Sequence, residues 1–302
     1  MTKVALEPAQ VPAFVDAITS AGGQLSPLAN DVKALVWTDY WQPDLLAQTL
    51  DANPQLEWVQ LPFAGVDAFA ELIQLPIRFT SAKGAYREPV AEHALALCLA
   101  LGRMLPARAK ATTWGEKFAV SLYESHIVIV GGGGITQELL NLLEPFQAEV
   151  TVVSRSGTPL EKATRTTAFD QLDEWVAKAD FLVLAAALTD ETRGLINAKR
   201  LALMKSSAYL INIARGAHVV TSDLIEALNT EQIAGAALDV TDPEPLPDGH
   251  PLWGAKNCLI TPHSADTPAQ VTRLLALRIA ENTAVFANGG EWVGLVDPKL
   301  GY

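Results

Sequence analysis

Short apolar, β-prone runs alternate with stretches of helical periodicity along the whole chain. That alternation predicts an α/β fold, with parallel sheets covered by helices on both faces. In the first part the strand signals are weak and lie at Ala34 to Trp37, Glu57 to Leu61 and Ile77 to Thr80. Helices are predicted between them, over Val11 to Ala21 and Pro43 to Asp51. A strong helix is predicted from Glu88 to Met104, with Pro89 suited to its first turn, and a loop of small and polar residues follows to Ser125. Then come strands at His126 to Val130, Glu149 to Val153, Phe181 to Ala185, Ala208 to Ile213, Ala234 to Asp239 and Asn257 to Ile260. Six strands with crossover helices fit a doubly wound dinucleotide-binding fold. One long helix, Thr267 to Ala287, closes the chain before a short polar tail.

Composition narrows the classes. The 302 residues suffice for two modest domains or one large one, and 49% hydrophobic against 19% charged residues suits a globular protein with a substantial core. A formal net charge of -12 argues against a nucleic-acid surface and against adhesion to anionic membranes. The longest unbroken apolar runs, Ala94 to Leu101 and Phe181 to Leu188, are too short to span a bilayer. The N-terminus has Lys3, then Glu7 and Pro8, and no apolar region of the kind a secretory signal needs. Cys98 and Cys258 are far apart without metal-ligand spacing, which predicts reduced thiols, no metal and a cytoplasmic setting.

Candidate chemistry concentrates in three blocks, each placed where a strand should run out: INIARGAHV around Arg215, LDVTDPEPLP around Glu244 and ITPHSAD around His263. Ligands of open α/β sheets bind outside the carboxyl ends of the strands. Any one block reads equally well as a turn. Together they could bring a guanidinium, a carboxylate and an imidazole to one crevice, the equipment for a small carboxylate whose neighbouring carbon gains or loses a proton.

A fourth block, IVIVGGGGIT (Ile127 to Thr136), is a strand entering a glycine run and then a helix. Read as G-x-G-x-x-G, it places Gly131 at the tight turn and Gly133 where the backbone approaches a pyrophosphate. The third position, normally small for close helix–strand packing, is Thr136. The next strand ends in Ser154-Arg155-Ser156, with no acid to take a ribose 2′-hydroxyl. Arginine and small polar groups there point to NADP rather than NAD, the alternative being that Arg155 only caps a solvent-facing loop.

These residues, with VAEHALALCLALGR (Val90 to Arg103), ADFLVLAAALTDETRGLIN (Ala179 to Asn197) and GAALDVTDPEPLP (Gly235 to Pro247), resemble the D-isomer-specific 2-hydroxyacid dehydrogenases. The likeness is close from Val90 to the last helix and looser before it, where it rests on FAGVD (Phe63 to Asp67). It implies two Rossmann-like domains: a dinucleotide-binding domain over 93–266, inserted in a discontinuous flavodoxin-like substrate domain of 1–92 and 267–302. It implies that Arg215, Glu244 and His263 are catalytic, in a cleft between the domains, and that Ala64 and Gly65 join Arg215 on the substrate carboxylate. The cofactor would meet Val90, Gly131, Gly133, Gly134, Ile135, Ser154, Arg155, Ser156, Ala186, Ala187, Thr192, Ile213, Ala214 and His263, with Asp239 near the nicotinamide. The implied reaction is hydride transfer between NADP(H), or NAD(H) as second choice, and a small 2-keto or 2-hydroxy acid of the glyoxylate/hydroxypyruvate type. A homodimer is implied as well.

Two departures stand out besides Thr136. Ala187 replaces the family's usual proline, and Lys83 to Arg87 is an untypical segment. His93, His126, His218 and His250 read as structural or solvated, and Trp41, Trp114 and Trp292 as candidates for shaping a substrate pocket. The competing reading is a dinucleotide-sensing or corepressor-like binding protein on the same fold. The complete trio disfavours it.

Overall fold

The computed structural model describes residues 2–301. They divide into two compact units, one made of the chain up to Tyr86 together with the chain from Thr267 onward, the other Arg87–Asp266.

The first unit carries a five-stranded parallel sheet of β1 (Thr2–Glu7), β2 (Gly23–Leu25), β3 (Ala34–Trp37), β4 (Trp58–Gln60) and β5 (Arg78–Thr80). Its spatial order is β2-β1-β3-β4-β5, the flavodoxin-like arrangement. Side chains alternate across a strand, so each strand here serves two faces. Ala5, Leu35, Trp37, Val59 and Phe79 pack on one side with Leu46 and Leu50 of helix α2 (Pro43–Ala52). Val4, Leu6, Val36 and Trp58 are buried on the other side, where helix α1 (Pro12–Ser20) and the C-terminal helix Pro268–Asn288 contact the sheet.

That last helix starts on a capping box between Thr267 and Gln270. Buried polar groups then seat it. Asn282 Nδ2 donates to Gln60 Oε1 at 2.8 Å, and Thr80 Oγ1 donates to the same oxygen at 2.8 Å. Trp58 Nε1 donates to Thr80 Oγ1 at 2.8 Å, completing a satisfied network inside the core.

The second unit holds a seven-stranded parallel sheet: β6 (His126–Val130), β7 (Glu149–Ser154), β8 (Arg165–Ala168), β9 (Phe181–Leu184), β10 (Tyr209–Asn212), β11 (Gly235–Leu238) and β12 (Cys258–Ile260). Read from the first strand of this unit, the order β12-β11-β10-β9-β6-β7-β8 is the dinucleotide-binding order with one strand added at an edge. Ile127, Ile129, Phe181, Val183 and Ile211 face α3 (Arg87–Gly102), with α4 (Leu105–Ala109) following it, and α5 (Gly134–Leu143). Val128, Val130, Leu182, Leu184 and Leu210 face α6 (Leu172–Val176), α7 (Ala198–Leu203) and α8 (Thr221–Asn229).

Three strands and one short helix go beyond the sequence expectation. β1 and β2 escaped because one is a mixed polar–apolar run and the other has three residues. β8 is the polar edge strand RTTA, which lacks the apolar run that marks its neighbours. α4 lies inside the predicted loop.

Candidate active site

β10, β11 and β12 are parallel neighbours, so the loops at their carboxyl ends lie side by side. Arg215, Glu244 and His263 come from those three loops in turn.

Asn212, wholly buried at the end of β10, shapes the first loop. Its side chain donates to Arg215 O at 2.9 Å and accepts from Ala214 N at 3.1 Å. Arg215 is extended (φ -143, ψ 143), and its Nη1 donates to Ala214 O at 2.8 Å. The glycine that follows is a packing requirement: a Cβ on Gly216 would sit 1.9 Å from Thr241 O. Only a bare Cα lets the Arg215 loop press against the Glu244 loop.

In that second loop Glu244 Oε2 accepts from Thr241 N at 3.4 Å, and Oε1 meets His263 Nδ1 at 2.6 Å. The third loop holds His263 at φ 49, a left-handed conformation that costs a non-glycine residue roughly 1–2 kcal/mol. Asp239 is what imposes it. Its carbonyl accepts from His263 N at 2.8 Å, while its carboxylate accepts from Thr261 Oγ1 at 2.5 Å, Ser264 N at 2.9 Å and Ala265 N at 3.1 Å. His93 Nε2, from α3, lies 3.3 Å from the same carboxylate and 3.1 Å from Thr261 Oγ1. Burial pushes the Asp239 pKa up, but the hydrogen bonds from His93, Thr261 and Ser264 outweigh it and leave it lowered.

Glu244 raises the His263 pKa, first by the hydrogen bond and then by its charge, against partial burial and the Arg215 cation. Asp239 adds to the rise. The Nε2 edge of a ring whose Nδ1 is held by a carboxylate is the edge left to work on a ligand. With an imidazole 45% exposed, that edge is within reach of solutes.

The glycine loop and the turn after β9 flank the point where strand order reverses, between β6 and β9. Gly131 has φ +112, and a Cβ there would meet Ala185 O at 2.5 Å, so the first glycine is fixed by the neighbouring strand end. Gly133 caps α5 with no side-chain cap among the described residues, and a Cβ there would meet no described atom within 4 Å. An open glycine at an uncapped helix start suits a pyrophosphate. Gly134 and Ile135 are half-buried in the first turn. Thr136 is not a misfit: it is fully buried, and its Oγ1 donates to Gly131 O at 2.7 Å, tying the helix back to the loop.

Ser154 is buried at the end of β7, with Arg155 and Ser156 exposed beyond it. Ala186 and Ala187 follow β9, and Thr192 Oγ1 donates to Ala187 O at 2.8 Å. Ile213 and Ala214 are buried after β10, and Val90 is half-buried on α3. In the first unit, Ala64 is exposed and Gly65 half-buried in the loop after β4, which is held where Ala82 N donates to Phe63 O at 3.0 Å and Tyr86 OH to Pro62 O at 2.8 Å.

Sequence reasoning passed over Asn212 and Thr261 and read His93 as structural or solvated, since their only signal is nearness to the Arg215, His263 and Val90 blocks. Of the tryptophans, Trp41 and Trp114 are exposed, and Trp292 packs against Trp58 and Phe286. Among the described residues no cluster of three or more His, Cys, Asp or Glu could hold a metal ion, and no helix is long and apolar enough to cross a membrane.

Residues 94–265 match the family model for the D-isomer specific 2-hydroxyacid dehydrogenase NAD binding domain. A glyoxylate reductase of Aeropyrum pernix is 33% identical over 277 residues, covering 87% of this chain and 82% of that protein. A D-isomer specific 2-hydroxyacid dehydrogenase from Xanthobacter autotrophicus Py2, solved with NADPH and MES, superposes with a TM-score of 0.86 at 28% identity, covering 100% of this chain and 99% of that one. The NADPH-dependent glyoxylate/hydroxypyruvate reductase of Sinorhizobium meliloti, solved with NADP and sulfate, gives a TM-score of 0.82 at 26% identity, with 100% of each chain covered.

Proposed function

The chain belongs to the D-isomer-specific 2-hydroxyacid dehydrogenase family, and on that footing we propose that it reduces a small 2-keto acid to the D-2-hydroxy acid with NADP(H). The observation that carries this reading is the 2.6 Å His263–Glu244 pair, set beside Arg215 on adjacent strand ends. Glyoxylate and hydroxypyruvate, the substrates named for its relatives, are the first candidates.

Arg215 binds the keto acid, because a guanidinium fork matches a planar carboxylate and stays charged at every working pH. His263 gives its Nε2 proton to the keto oxygen as that oxygen becomes an alcohol, and recovers it in the reverse direction. Glu244 keeps the imidazole protonated and fixes the ring so that Nε2 faces the substrate. Asp239 positions His263 through the backbone.

The chain fits a dinucleotide. Gly131, Gly133, Gly134 and Ile135 would take the pyrophosphate, and Ser154, Arg155 and Ser156 a 2′-phosphate. Val90, Ala186, Ala187, Thr192, Ile213 and Ala214 would line the rest. When bound, the nicotinamide supplies the hydride. NADPH and NADH oxidation, followed with glyoxylate, hydroxypyruvate and pyruvate, tests the reading. Turnover with at least one keto acid is expected, and binding of nucleotide without turnover on a wider 2-keto acid panel would refute it.

A homodimer is part of the proposal. After α3 the chain exposes Leu105, Trp114 (90% exposed), Phe118 and Tyr123, more apolar surface than a segment facing only water should carry. A second copy would cover it. Trp114→Asp should then shift the sedimenting species from dimer to monomer, and a wild type that sediments as a monomer would contradict this. A cytoplasmic setting is proposed on the free thiols of Cys98 and Cys258, and cell fractionation checks it.

A further inference from the structure

One buried titratable group has no part in that chemistry. His218 ends the 3-10 turn after Arg215 and is wholly buried. Its ring lies between two backbone carbonyls, with Nδ1 3.0 Å from Arg215 O and Nε2 3.3 Å from Ala187 O. Burial depresses its pKa, and the Arg215 and Arg193 cations add to that, against the two carbonyls, which favour the proton. A neutral imidazole carries one N–H. One proton therefore serves two acceptors, and whichever nitrogen lacks it turns a lone pair toward a carbonyl oxygen.

The two carbonyls belong to the two halves of the site. Arg215 O also accepts from Asn212 Nδ2 at 2.9 Å and from His218 N at 3.2 Å. Ala187 O also accepts from Thr192 Oγ1 at 2.8 Å. Main-chain bonds run beside the ring: Gly194 N donates to Ala217 O, Ile196 N to His218 O and Val220 N to Ile196 O, each at 2.8 Å. The segment just after the Ala187–Thr192 turn is thus laced to the Arg215 turn through its main chain, and the imidazole adds the contact to Ala187 O in the turn itself. At Ala187 a proline ring would fix φ by itself. Here the turn is held through its carbonyl, by Thr192 from within and by His218 from the neighbouring loop.

We propose that His218 is a positioning residue that couples the Ala187 turn to Arg215, so that nucleotide contacts ordering the turn also set the backbone that aims the guanidinium. The inference rests on the reading above, in which the turn lines the nucleotide and Arg215 holds the keto acid. Coupling of this kind is reciprocal: what strengthens one ligand's binding strengthens the other's.

Three variants separate the contacts. His218→Leu fills the space with no donor. His218→Gln places a carboxamide near Nε2, and His218→Asn places one near Nδ1. Nucleotide Kd is read by quenching of tryptophan fluorescence, keto-acid KM and kcat by NADPH oxidation, and folding by urea midpoint. His218→Leu should weaken nucleotide Kd and raise keto-acid KM, each by roughly tenfold, the scale of one lost hydrogen bond. His218→Gln should recover the nucleotide Kd more than the KM, and His218→Asn the reverse. That split shows each ring nitrogen holding its own turn, which the coupling requires, whereas a purely structural role would move the urea midpoint and leave the two constants in step. Should His218→Leu not fold, the contrast between Gln and Asn still decides. The proposal is overturned if both constants stay within about twofold of wild type in every folded variant, or if Gln and Asn recover them equally. A wild type that binds neither NADPH nor NADH overturns the functional reading itself and takes this proposal with it, whereas a wild type that turns over normally isolates His218 as the point of failure.

Discussion

Turnover of the keto acid is expected to fall by roughly 10²–10⁴-fold in His263→Ala, the usual scale for a lost general acid, with a much smaller change in KM. The variant should fold, because the loop around residue 263 is held by Asp239 acting on backbone N–H groups and on Thr261, and the hydrogen bond of the imidazole to Glu244 joins two loops already set by their own backbones. Removing the ring therefore removes chemistry while leaving the scaffold. A His263→Ala protein retaining near-normal kcat would exclude the residue from proton transfer.

The pair with Glu244 also fixes a pH dependence. Glu244 raises the His263 pKa, with Asp239 helping while burial and Arg215 oppose. The reduction uses the protonated ring, so kcat/KM should hold at low pH and fall as pH rises through that raised pKa. Glu244→Gln removes the carboxylate charge, and the falling limb should then move to lower pH. Oxidation of the hydroxy acid needs the neutral ring and should show the opposite slope. A limb that stays in place in Glu244→Gln would mean that another group sets it.

Wild-type protein should use NADPH in preference to NADH, and Arg155→Ala should reduce or abolish the difference. Arg155 stands exposed at the end of β7 between two serines, with no carboxylate at 154–157 to receive a ribose 2′-hydroxyl. A 2′-phosphate brings charge and acceptor oxygens that a guanidinium meets with paired donors. One charge-assisted hydrogen bond contributes about 1.5–3 kcal/mol, roughly tenfold to more than a hundredfold in affinity. Ser154 already accepts from Gly157 N at 3.2 Å, so it shapes the turn as well as offering a hydroxyl. The measurement is the NADPH/NADH ratio of kcat/KM in both proteins. Equal use of the two nucleotides by wild type, or a ratio that Arg155→Ala leaves untouched, would reduce Arg155 to a surface residue.

What could be read from the sequence was whatever depends on local pattern. Buried parallel strands such as HIVIV, FLVL and YLIN announce themselves as apolar runs, and the loops after them carry Arg215, Glu244 and His263 in full view. The edge strand RTTA and the short GQL had no such run and stayed hidden. What long-range packing decides was equally out of sight. Gly216 reads as half of an Arg-Gly turn until Thr241 O is found where its Cβ would be. Thr136 reads as a defect in the glycine motif until its hydroxyl is found on Gly131 O. His93 and His218 were set aside as structural because nothing nearby in sequence shows that each touches the backbone or carboxylate of a site residue.

The order in which the chain is made bears on the first unit. Domains tend to fold as units while they emerge from the ribosome. The strands from Thr2 to Thr80 leave first, yet Trp58 and Gln60 find Phe286 and Asn282 only after the whole of Arg87–Asp266 has been synthesised. Until then one face of the nascent sheet, with Val4, Leu6, Val36 and Trp58, has α1 but lacks the second of the two helices that cover it. The continuous middle segment has no such wait and should finish before the segment that began ahead of it. A chain released a few dozen residues early would therefore carry a complete nucleotide-binding half and an open, adhesive one, the kind of product that chaperones hold and proteases clear.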